Sequence, residues 1–413
     1  MEHRFPEGFL WGAATASHQV EGNTHNNWSE WEKKNAERLA GEAKTKFAGW
    51  QQEKFPEMFN PQNYISGRAC DHYNLYEKDF DLAKSGGHNA HRFSIEWSRI
   101  EPEEGRFDQK EIEHYRKVIL ALRERGIEPF VTLWHWTEPI WFQELGGWDS
   151  ARSINCFLRF VEKITIELKD EVKFWIVINE PNVGLGFGYL KGSQPPAKKG
   201  LFKFLPAYFN MLKAYKMAYR LIHQIDSQAK VGFAHSFSPC ESDIMWPFGR
   251  IAASIAEFFE NFFLSSSKKQ LDFIGCNYYS RFMISLKGNN FQKGEISDLG
   301  WEIYPQGMYI AMLRLKKYDL PIYITENGLA DADDSRRPEF IREHLKWLRK
   351  SINEGVDVKG YFHWSLLDNY EFPDVRGFWP RFGLIEIDYK TLERKPRESF
   401  YAYKKIIENN GLE

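Results

Sequence analysis

Eight short apolar runs, each followed by a polar break, set the strongest limit on the fold of this chain. The runs are residues 9–16, 91–97, 129–136, 174–180, 231–235, 273–279, 321–326 and 361–366. Longer amphipathic stretches alternate with them, and helical periodicity is clearest at residues 109–125, 151–168, 205–223, 338–353 and 398–408. Runs that are apolar throughout are typical of parallel strands covered by helices on both faces of a sheet.

Eight such strand–helix units favour an α/β fold of the (β/α)8 TIM-barrel type over an open doubly wound sheet, which would alternate in the same way. A minimal barrel needs about 250 residues, whereas the chain has 413. The excess is therefore expected in long βα loops, mainly at residues 20–85 and after Glu180. We predict a single domain that spans residues 1–413.

Charge and cysteine content argue against several classes of function. Lys and Arg number 55 against 57 Asp and Glu, so a nucleic-acid partner is not expected. No apolar stretch reaches the roughly 18 residues of a membrane span, so no membrane partner is expected. The cysteines are scattered and lack the spacing of a zinc site, so no metal is expected. We predict that their thiols are free and that the protein is in a reducing, cytoplasmic compartment. The cysteines are Cys70, Cys156, Cys240 and Cys276.

Aromatic residues make up 16% of the chain, which suits a protein that stacks the flat faces of ligands on rings. Two of the apolar runs also end in a glutamate, within Asn179-Glu180-Pro181 and Thr325-Glu326-Asn327-Gly328. We expect Pro181 to end its strand and Gly328 to permit a sharp turn. The carboxyl ends of barrel strands carry catalytic residues, and glycoside hydrolysis needs two carboxyls that flank one bond. Either glutamate alone could instead form an ion pair that closes the barrel.

A third motif lies near the start of the chain, at residues 5–22, and reads Phe-Pro-Glu-Gly-Phe-Leu-Trp-Gly-Ala-Ala-Thr-Ala-Ser-His-Gln-Val-Glu-Gly. With the two glutamate motifs, it resembles glycoside hydrolase family 1, the β-glucosidase-like retaining glycosidases, and the resemblance extends from Phe5 to about Arg397. It implies hydrolysis of terminal β-linked sugars by double displacement through a glycosyl-enzyme intermediate, without a cofactor. Small-molecule β-glucosides are the expected substrates, with β-galactosides and β-fucosides as further candidates.

The resemblance implies roles for four catalytic residues. Glu326 matches the nucleophile and Glu180 the acid/base, while Arg92 matches the arginine beside the nucleophile. Tyr279, within Asn277-Tyr278-Tyr279, matches the tyrosine that donates a hydrogen bond to it. Retention requires carboxyls about 5–5.5 Å apart. The nucleophile must stay ionised beside a cation or donor, and the surroundings of the acid must raise its pKa.

The resemblance also implies a set of residues that bind the nonreducing sugar: Gln19, His135, Trp136, Asn179, Asn277, Trp364, Glu371 and Phe372. Trp364 matches the tryptophan on which the sugar ring stacks, and Asn179 matches the residue that holds the 2-hydroxyl. Amides, imidazoles and carboxylates suit hydroxyl groups because they offer directional donors or acceptors. From the residues alone, Gln19 and His135 fit a structural role in the core equally well.

The chain departs from the family pattern in three places. Phe372 replaces the usual tryptophan and removes an indole N–H donor, which leaves the sugar preference open; Trp379 is a candidate to compensate. The segment 236–270 is shorter than in most members, so the leaving-group preference could be unusual. Residues 373–380 lack the serine and lysine with which 6-phospho-β-glycosidases bind phosphate, which disfavours that activity.

The alternative from another class is an inactive sugar-binding protein on the same fold, and the presence of both glutamates speaks against it. Two further segments are given structural interpretations. Residues 184–188 are rich in glycine but lack the spacing of a phosphate-binding loop, so a flexible loop is expected. Lys198 and Lys199, beside two prolines, are expected in a solvated turn. The sequence does not determine the oligomeric state.

Overall fold

The structure, a computed structural model, describes residues 4–242, 248–284, 294–372 and 375–412. Eight parallel strands within these residues form a closed barrel: Leu10–Ala14 (β1), Ala90–Ser94 (β2), Glu128–Trp134 (β3), Phe174–Asn179 (β4), Lys230–Ser236 (β5), Ile274–Asn277 (β6), Ile322–Asn327 (β7) and Val358–Trp364 (β8). Each strand pairs with its neighbours in sequence, and β1 pairs with β8. The predicted (β/α)8 TIM barrel is confirmed, and the open sheet is excluded.

Each predicted apolar run overlaps one barrel strand. Several runs continue past the strand end, and His135, Trp136, Glu180 and Tyr279 lie just beyond their strands. The eighth strand begins at Val358, three residues before the predicted residue 361. The apolar pattern missed this start because Lys359, the second residue of the strand, is exposed and charged. The strand ends thus place polar and aromatic side chains at one end of the barrel.

A helix follows each strand and covers the outside of the barrel. These helices are His72–Ser85 (α1), Gln109–Glu124 (α2), Ser153–Leu168 (α3), Leu201–Ile225 (α4), Phe248–Ser267 (α5), Gln306–Leu315 (α6), Arg337–Asn353 (α7) and Glu398–Asn409 (α8). The five predicted helices correspond to α2, α3, α4, α7 and α8 and are confirmed to within a turn at each end.

The excess length lies in loops after the strands, as predicted. Additional α-helices in these loops are Ser17–Val20, Asn27–Lys46, Gly49–Lys54, Trp97–Ile100, Ile140–Glu144 and Pro181–Leu185. Short 3₁₀ helices are Pro56–Phe59, Pro61–Tyr64, Gly147–Asp149 and Lys316–Tyr318. Two small strand pairs also occur, Cys240–Ser242 with Phe282–Ile284 and Ile385–Ile387 with Arg394–Pro396.

The segment after β4 differs from its prediction. Residues 184–188 are not a loop, since helix Pro181–Leu185 continues directly into a π-helical segment, Gly186–Lys191. The predictions about segments 236–270 and 373–380 fall partly outside the described residues, because residues 243–247 and 373–374 are not described. Cys70, Cys156, Cys240 and Cys276 are buried and unpaired, as expected.

Aromatic rings fill one end of the barrel interior. Phe130 of β3 stacks on Phe174 of β4 with ring centroids 4.1 Å apart, and Tyr323 and Phe362 approach Phe130 at 5.1 and 4.8 Å. Side chains two residues further along a strand point to the same face, so Thr132 follows Phe130 inside the barrel. The polar interior therefore faces the carboxyl ends of the strands.

Candidate active site

A cavity of about 330 Å³ lies at the carboxyl ends of the strands. Its wall includes ten of the twelve predicted site residues: Gln19, His135, Trp136, Asn179, Glu180, Tyr279, Glu326, Trp364, Glu371 and Phe372. The other two, Arg92 and Asn277, lie directly behind the wall, within hydrogen-bond distance of Glu326 and Glu180 respectively. The structure therefore brings all twelve residues together.

Strand β7 places Glu326 between a cation and a phenol. Arg92 Nη1 donates to Glu326 Oε1 at 2.5 Å, and the Tyr279 hydroxyl donates to Oε2 at 2.6 Å. The side chains of Glu326 and Arg92 are only 5% and 1% exposed. Charge-assisted hydrogen bonds of this kind stabilise a carboxylate anion inside a protein.

Arg92 is itself fixed by several acceptors besides Glu326. Its Nε donates to Thr132 Oγ1 at 3.1 Å, and its Nη1 also donates to the Thr325 carbonyl at 3.2 Å. Its Nη2 donates to Asn179 Oδ1 at 2.7 Å. A planar guanidinium can satisfy these acceptors together, whereas a lysine ammonium has no such fork of donors.

Glu180 lies one residue beyond β4, in the turn that starts helix Pro181–Leu185. Its φ of 44° falls in the left-handed region, which is costly for a residue with a side chain and is concentrated at functional sites. Asn277 Nδ2 donates to Glu180 Oε1 at 2.9 Å. Burial and the charge of Glu326 raise the pKa of Glu180 from 4.5 to about 8, against the opposing effects of Asn277 and Arg92. Glu180 therefore holds a proton at neutral pH.

The two carboxyls thus have different surroundings within one cavity. Glu326 receives donors from Arg92 and Tyr279, whereas burial and a neighbouring negative charge oppose ionisation of Glu180. One carboxyl stabilised as an anion and another held as an acid can serve as nucleophile and proton donor.

A hydrogen-bond network orients the side chains around Asn179. Its Oδ1 accepts from Arg92 Nη2 at 2.7 Å and from Asn277 Nδ2 at 3.1 Å, so its Nδ2 must be the atom that faces His135 Nε2 at 3.1 Å. His135 Nε2 then accepts, which places the imidazole proton on Nδ1. Burial and Arg92 lower the pKa of His135 well below its usual value, so the ring is neutral. The Nδ1–H has no partner among the described residues and can donate to a ligand.

Gln19, Trp364 and Glu371 form another part of the wall. Gln19 Nε2 donates to the Tyr370 carbonyl at 2.5 Å and to Asn369 Oδ1 at 3.0 Å, which leaves its Oε1 as the group to accept from a ligand. Trp364 Nε1 donates to Glu371 Oε1 at 3.2 Å. Burial, and then the charge of Glu326, raise the pKa of Glu371 well above its usual value. This favours a protonated carboxyl that can both donate and accept.

Phe372 lines the cavity but Trp379 does not. Phe372 packs on Trp28 with centroids 4.3 Å apart and on Trp136 at 5.7 Å. Trp379 is fully buried outside the cavity, where it packs against Phe47 and Phe55 at 5.5 and 4.9 Å. The suggestion that Trp379 compensates for Phe372 is therefore wrong.

The role expected for Gly328 is also corrected. Its backbone does not adopt a positive φ, so a sharp turn does not require glycine there. A Cβ at this position would instead lie 1.8 Å from the Trp364 carbonyl oxygen. Glycine is needed because β7 and β8 approach each other closely just beyond Glu326.

The rest of the wall comes from residues that no sequence motif identified: Val183, Phe187, Ser236, Ser238, Ser280, Arg281, Phe282, Met283, Trp301, Glu302 and Phe382. Arg281 donates to both oxygens of Glu302 at 2.7 and 2.8 Å and to Glu241 at 2.9 Å. Trp301 meets Tyr279 edge-on at 5.8 Å. Arg281 closely follows the Asn277-Tyr278-Tyr279 motif in sequence, which is the one available signal for it, and Trp301 has none.

Comparison with known proteins agrees with this geometry. A sequence model of glycosyl hydrolase family 1 matches residues 1–244 and 250–412. The chain is 33% identical to β-glucosidase A of Thermotoga maritima over 99% of both chains. It is 30% identical to a β-galactosidase of Pyrococcus woesei over 99% of this chain and 98% of the relative.

Solved structures give the same picture. A β-glycosidase from Pyrococcus horikoshii superimposes with a TM-score of 0.88 at 37% identity and covers 99% of this chain and 96% of that one. A β-glucosidase from Thermotoga maritima in complex with glucoimidazole superimposes with a TM-score of 0.87 at 30% identity over the full length of both chains.

Proposed function

The chain belongs to glycosyl hydrolase family 1 and is a retaining β-glycosidase that acts on small-molecule glycosides, and from this premise we propose an assignment of its residues and substrate. Glu326 is the nucleophile, Glu180 is the acid/base, and the enzyme removes terminal β-linked glucose, with galactose and fucose as further sugars. The proposal depends on one observation: a single cavity holds Glu180, whose pKa is raised by burial, and Glu326, whose carboxylate accepts from Arg92.

In the first step, Glu180 gives its proton to the glycosidic oxygen while a Glu326 oxygen attacks the anomeric carbon. The C–O bond to the leaving group breaks, the alcohol departs, and a glycosyl ester forms on Glu326. Arg92 holds Oε1 of the attacking carboxylate, and Tyr279 holds Oε2. The pKa of about 8 for Glu180 keeps the proton available at neutral pH.

In the second step, the esterified Glu326 no longer carries a negative charge. That charge is one of the causes that raise the pKa of Glu180, so the pKa falls and Glu180 ionises. It then removes a proton from a water molecule, which attacks the anomeric carbon and releases the sugar with its original configuration. The carboxyl separation of about 5–5.5 Å that this mechanism requires stays a prediction.

The sugar is held by groups whose orientation the protein fixes in advance. The His135 Nδ1–H, the Gln19 Oε1 and the Glu371 carboxyl face the hydroxyls, and Trp364 supports the ring. Asn179 lies between His135 and Arg92 and donates its remaining Nδ2–H to the 2-hydroxyl. A contact to this hydroxyl strengthens in the transition state.

A neutral terminal sugar suits this cavity better than a 6-phosphorylated one. Among the described wall residues, the single Lys or Arg is Arg281, and its guanidinium is already paired with Glu302 and Glu241. A phosphate would therefore meet no uncompensated cation among these residues.

The experiment is a substrate panel combined with product stereochemistry. Hydrolysis of p-nitrophenyl β-D-glucoside, β-D-galactoside, β-D-fucoside and β-D-glucoside 6-phosphate is measured, and proton NMR follows the first anomer released. We expect the glucoside to be cleaved well, the 6-phosphate poorly, and the β-anomer to appear first. Preference for the 6-phosphate, or an α-anomer as first product, would contradict the proposal.

A further inference from the structure

The segment that follows Glu180 has an unusual charge pattern. Residues 181–225 contain no Asp or Glu, although Asp and Glu together slightly outnumber Lys and Arg in the chain as a whole. The same segment carries basic residues throughout: Lys191, Lys198, Lys199, Lys203, Lys213, Lys216 and Arg220. Seven cations and no acidic residue give this segment a local excess of positive charge.

Helix α4 within this segment exposes apolar side chains on the face opposite the barrel. Its inner face is buried through residues such as Met211, Tyr215 and Ile222. The outer face begins with an apolar stripe, which we define as Leu190, Leu201, Phe202, Leu205 and Phe209, exposed by 37, 59, 97, 45 and 53%. Leu190 joins the helix start because its carbonyl accepts from the Gly200 amide at 3.1 Å. Contiguous exposed apolar groups mark an interaction surface.

Basic side chains continue this face beyond the apolar stripe. Helical spacing places Lys213, Lys216 and Arg220 in line with Phe209, and no ion pair involves them among the described residues. Lys199, just before the helix, is exposed as well. Two other lysines of the segment share one acidic partner, since Lys198 and Lys203 both pair with Asp149.

We propose that this face docks on a lipid bilayer with anionic headgroups. The apolar stripe enters the boundary between headgroups and acyl chains, and the basic residues contact the headgroup phosphates. This mode needs no membrane span, and no helix in the described ranges is long and apolar enough to cross a bilayer. The sequence-based expectation of no membrane partner was based on the lack of such a span, and this proposal departs from that expectation.

A second copy of the chain is a poorer occupant of this face. A two-fold interface places the same patch of both subunits against each other. Both copies of the patch would carry Lys213, Lys216 and Arg220, and residues 181–225 contain no Asp or Glu to pair with these cations. Like charges at an interface are costly, whereas an anionic bilayer offers opposite charge and apolar depth together.

The stripe is separate from the cavity, because none of its residues lines the wall. Variants at these exposed positions are therefore expected to keep the fold and the hydrolysis of a soluble aryl glycoside. Co-flotation of the full chain is measured with vesicles of phosphatidylcholine alone and with vesicles that contain one quarter phosphatidylglycerol, at low and at high salt.

We expect binding to the phosphatidylglycerol vesicles that weakens at high salt. Replacing Phe202 and Leu205 by serine is expected to lower the partition coefficient of the protein between vesicles and water by about tenfold or more. The change Lys213→Glu with Lys216→Glu is expected to weaken it by about fivefold or more for each lysine. Two matched controls lie elsewhere on the surface and should bind as the wild type does: Ile166→Ser, at a side chain 52% exposed, and Lys110→Glu.

Three results would overturn the proposal. The wild type could fail to bind phosphatidylglycerol vesicles, or the stripe variants could bind as tightly as the controls. A dimer in sedimentation equilibrium that the Phe202 and Leu205 variant abolishes would instead assign the face to self-association. Unchanged basal activity and circular dichroism in every variant ensure that a loss of binding reflects the surface and not the fold.

Discussion

The floor and the rim of the cavity are built in different ways. Floor residues such as Arg92, Asn179 and Glu326 lie on barrel strands whose positions are fixed by pairing on both sides. Rim residues such as Arg281 and Trp301 lie in the loop after β6 and are held by contacts within the loops. The difference indicates that the chemistry resides in the floor, and that the rim adjusts which leaving groups are accepted.

The largest expected effect comes from removing the floor carboxylate itself. Glu326→Ala should lower kcat by about 10⁴-fold or more, because no group remains to form the glycosyl ester. Azide should restore turnover of an activated aryl glucoside and yield the α-glycosyl azide, which NMR identifies.

The matched control for that variant is a rim carboxyl. Glu302 lines the same cavity but is paired with Arg281, so Glu302→Ala should retain most of the activity and show no azide product. Equal losses in the two variants would remove the distinction between floor and rim.

Glu180→Ala is expected to have the next largest effect, and its size should depend on the leaving group. General acid catalysis contributes about 10²–10⁴-fold, so alkyl glucosides should lose this much in kcat/KM. Dinitrophenyl glucosides need little protonation and should lose far less in the first step. Loss of the same factor for both substrates would contradict the role of Glu180 as acid.

Arg92→Lys keeps the positive charge but removes the fork that reaches Glu326, Thr132 and Asn179. We expect a loss on the order of 100-fold in kcat, since the carboxylate and the asparagine are no longer held together. The same change at the rim, Arg281→Lys, should cost less than about tenfold. The ratio of the two effects measures how much more the chemistry depends on the floor.

The pH profile tests whether the charge of Glu326 raises the pKa of Glu180. The first step needs protonated Glu180, whose pKa is raised to about 8, so kcat/KM should be flat at neutral pH and fall tenfold per unit above about pH 8. Glu326→Gln removes a cause of this upward shift, and infrared titration should show a lower pKa for Glu180. Glu302→Gln should leave it unchanged, and a shift in the rim variant alone would refute the assignment.

The smallest expected effect concerns the rim ring Trp301. Trp301→Ala should raise KM for aryl glucosides by up to about tenfold, because one aromatic surface is lost beside the leaving group. The ratio of glucoside to galactoside hydrolysis should not change, since Trp301 is not among the residues proposed to hold the sugar. A change in this ratio would show that the two regions are not independent.

The difference between residues on barrel strands and residues in loops also explains which parts of the site could be predicted from the sequence. Glu180 and Glu326 were identified because each is the last residue of an apolar run, and the barrel brings the carboxyl ends of its strands together whatever the loops do. Trp301 was missed because the path of a long loop depends on tertiary packing that no local pattern encodes. Trp379 illustrates the same limit, since its sequence position near Phe372 does not reveal that its ring packs against Phe47 and Phe55.

Gly328 shows a further limit, in which the residue type was noticed and the reason was wrong. A glycine in a sequence suggests a turn. The close approach of Gly328 to the Trp364 carbonyl can be predicted only when β7 and β8 are known to be neighbours. The helical segment after β4 was likewise misinterpreted, because glycines at residues 184–188 favour a loop only when neighbouring elements do not order them.

The most direct test of the account is to trap and map the covalent intermediate. A 2-deoxy-2-fluoro-β-glucoside with a dinitrophenyl leaving group should form the glycosyl ester faster than water can cleave it, because the missing 2-hydroxyl contact slows both steps and the leaving group speeds only the first. Peptide mapping by mass spectrometry should then find one added fluorosugar on the peptide that contains Glu326. A label on any other residue, or full activity after prolonged incubation without a label, would contradict the assignment.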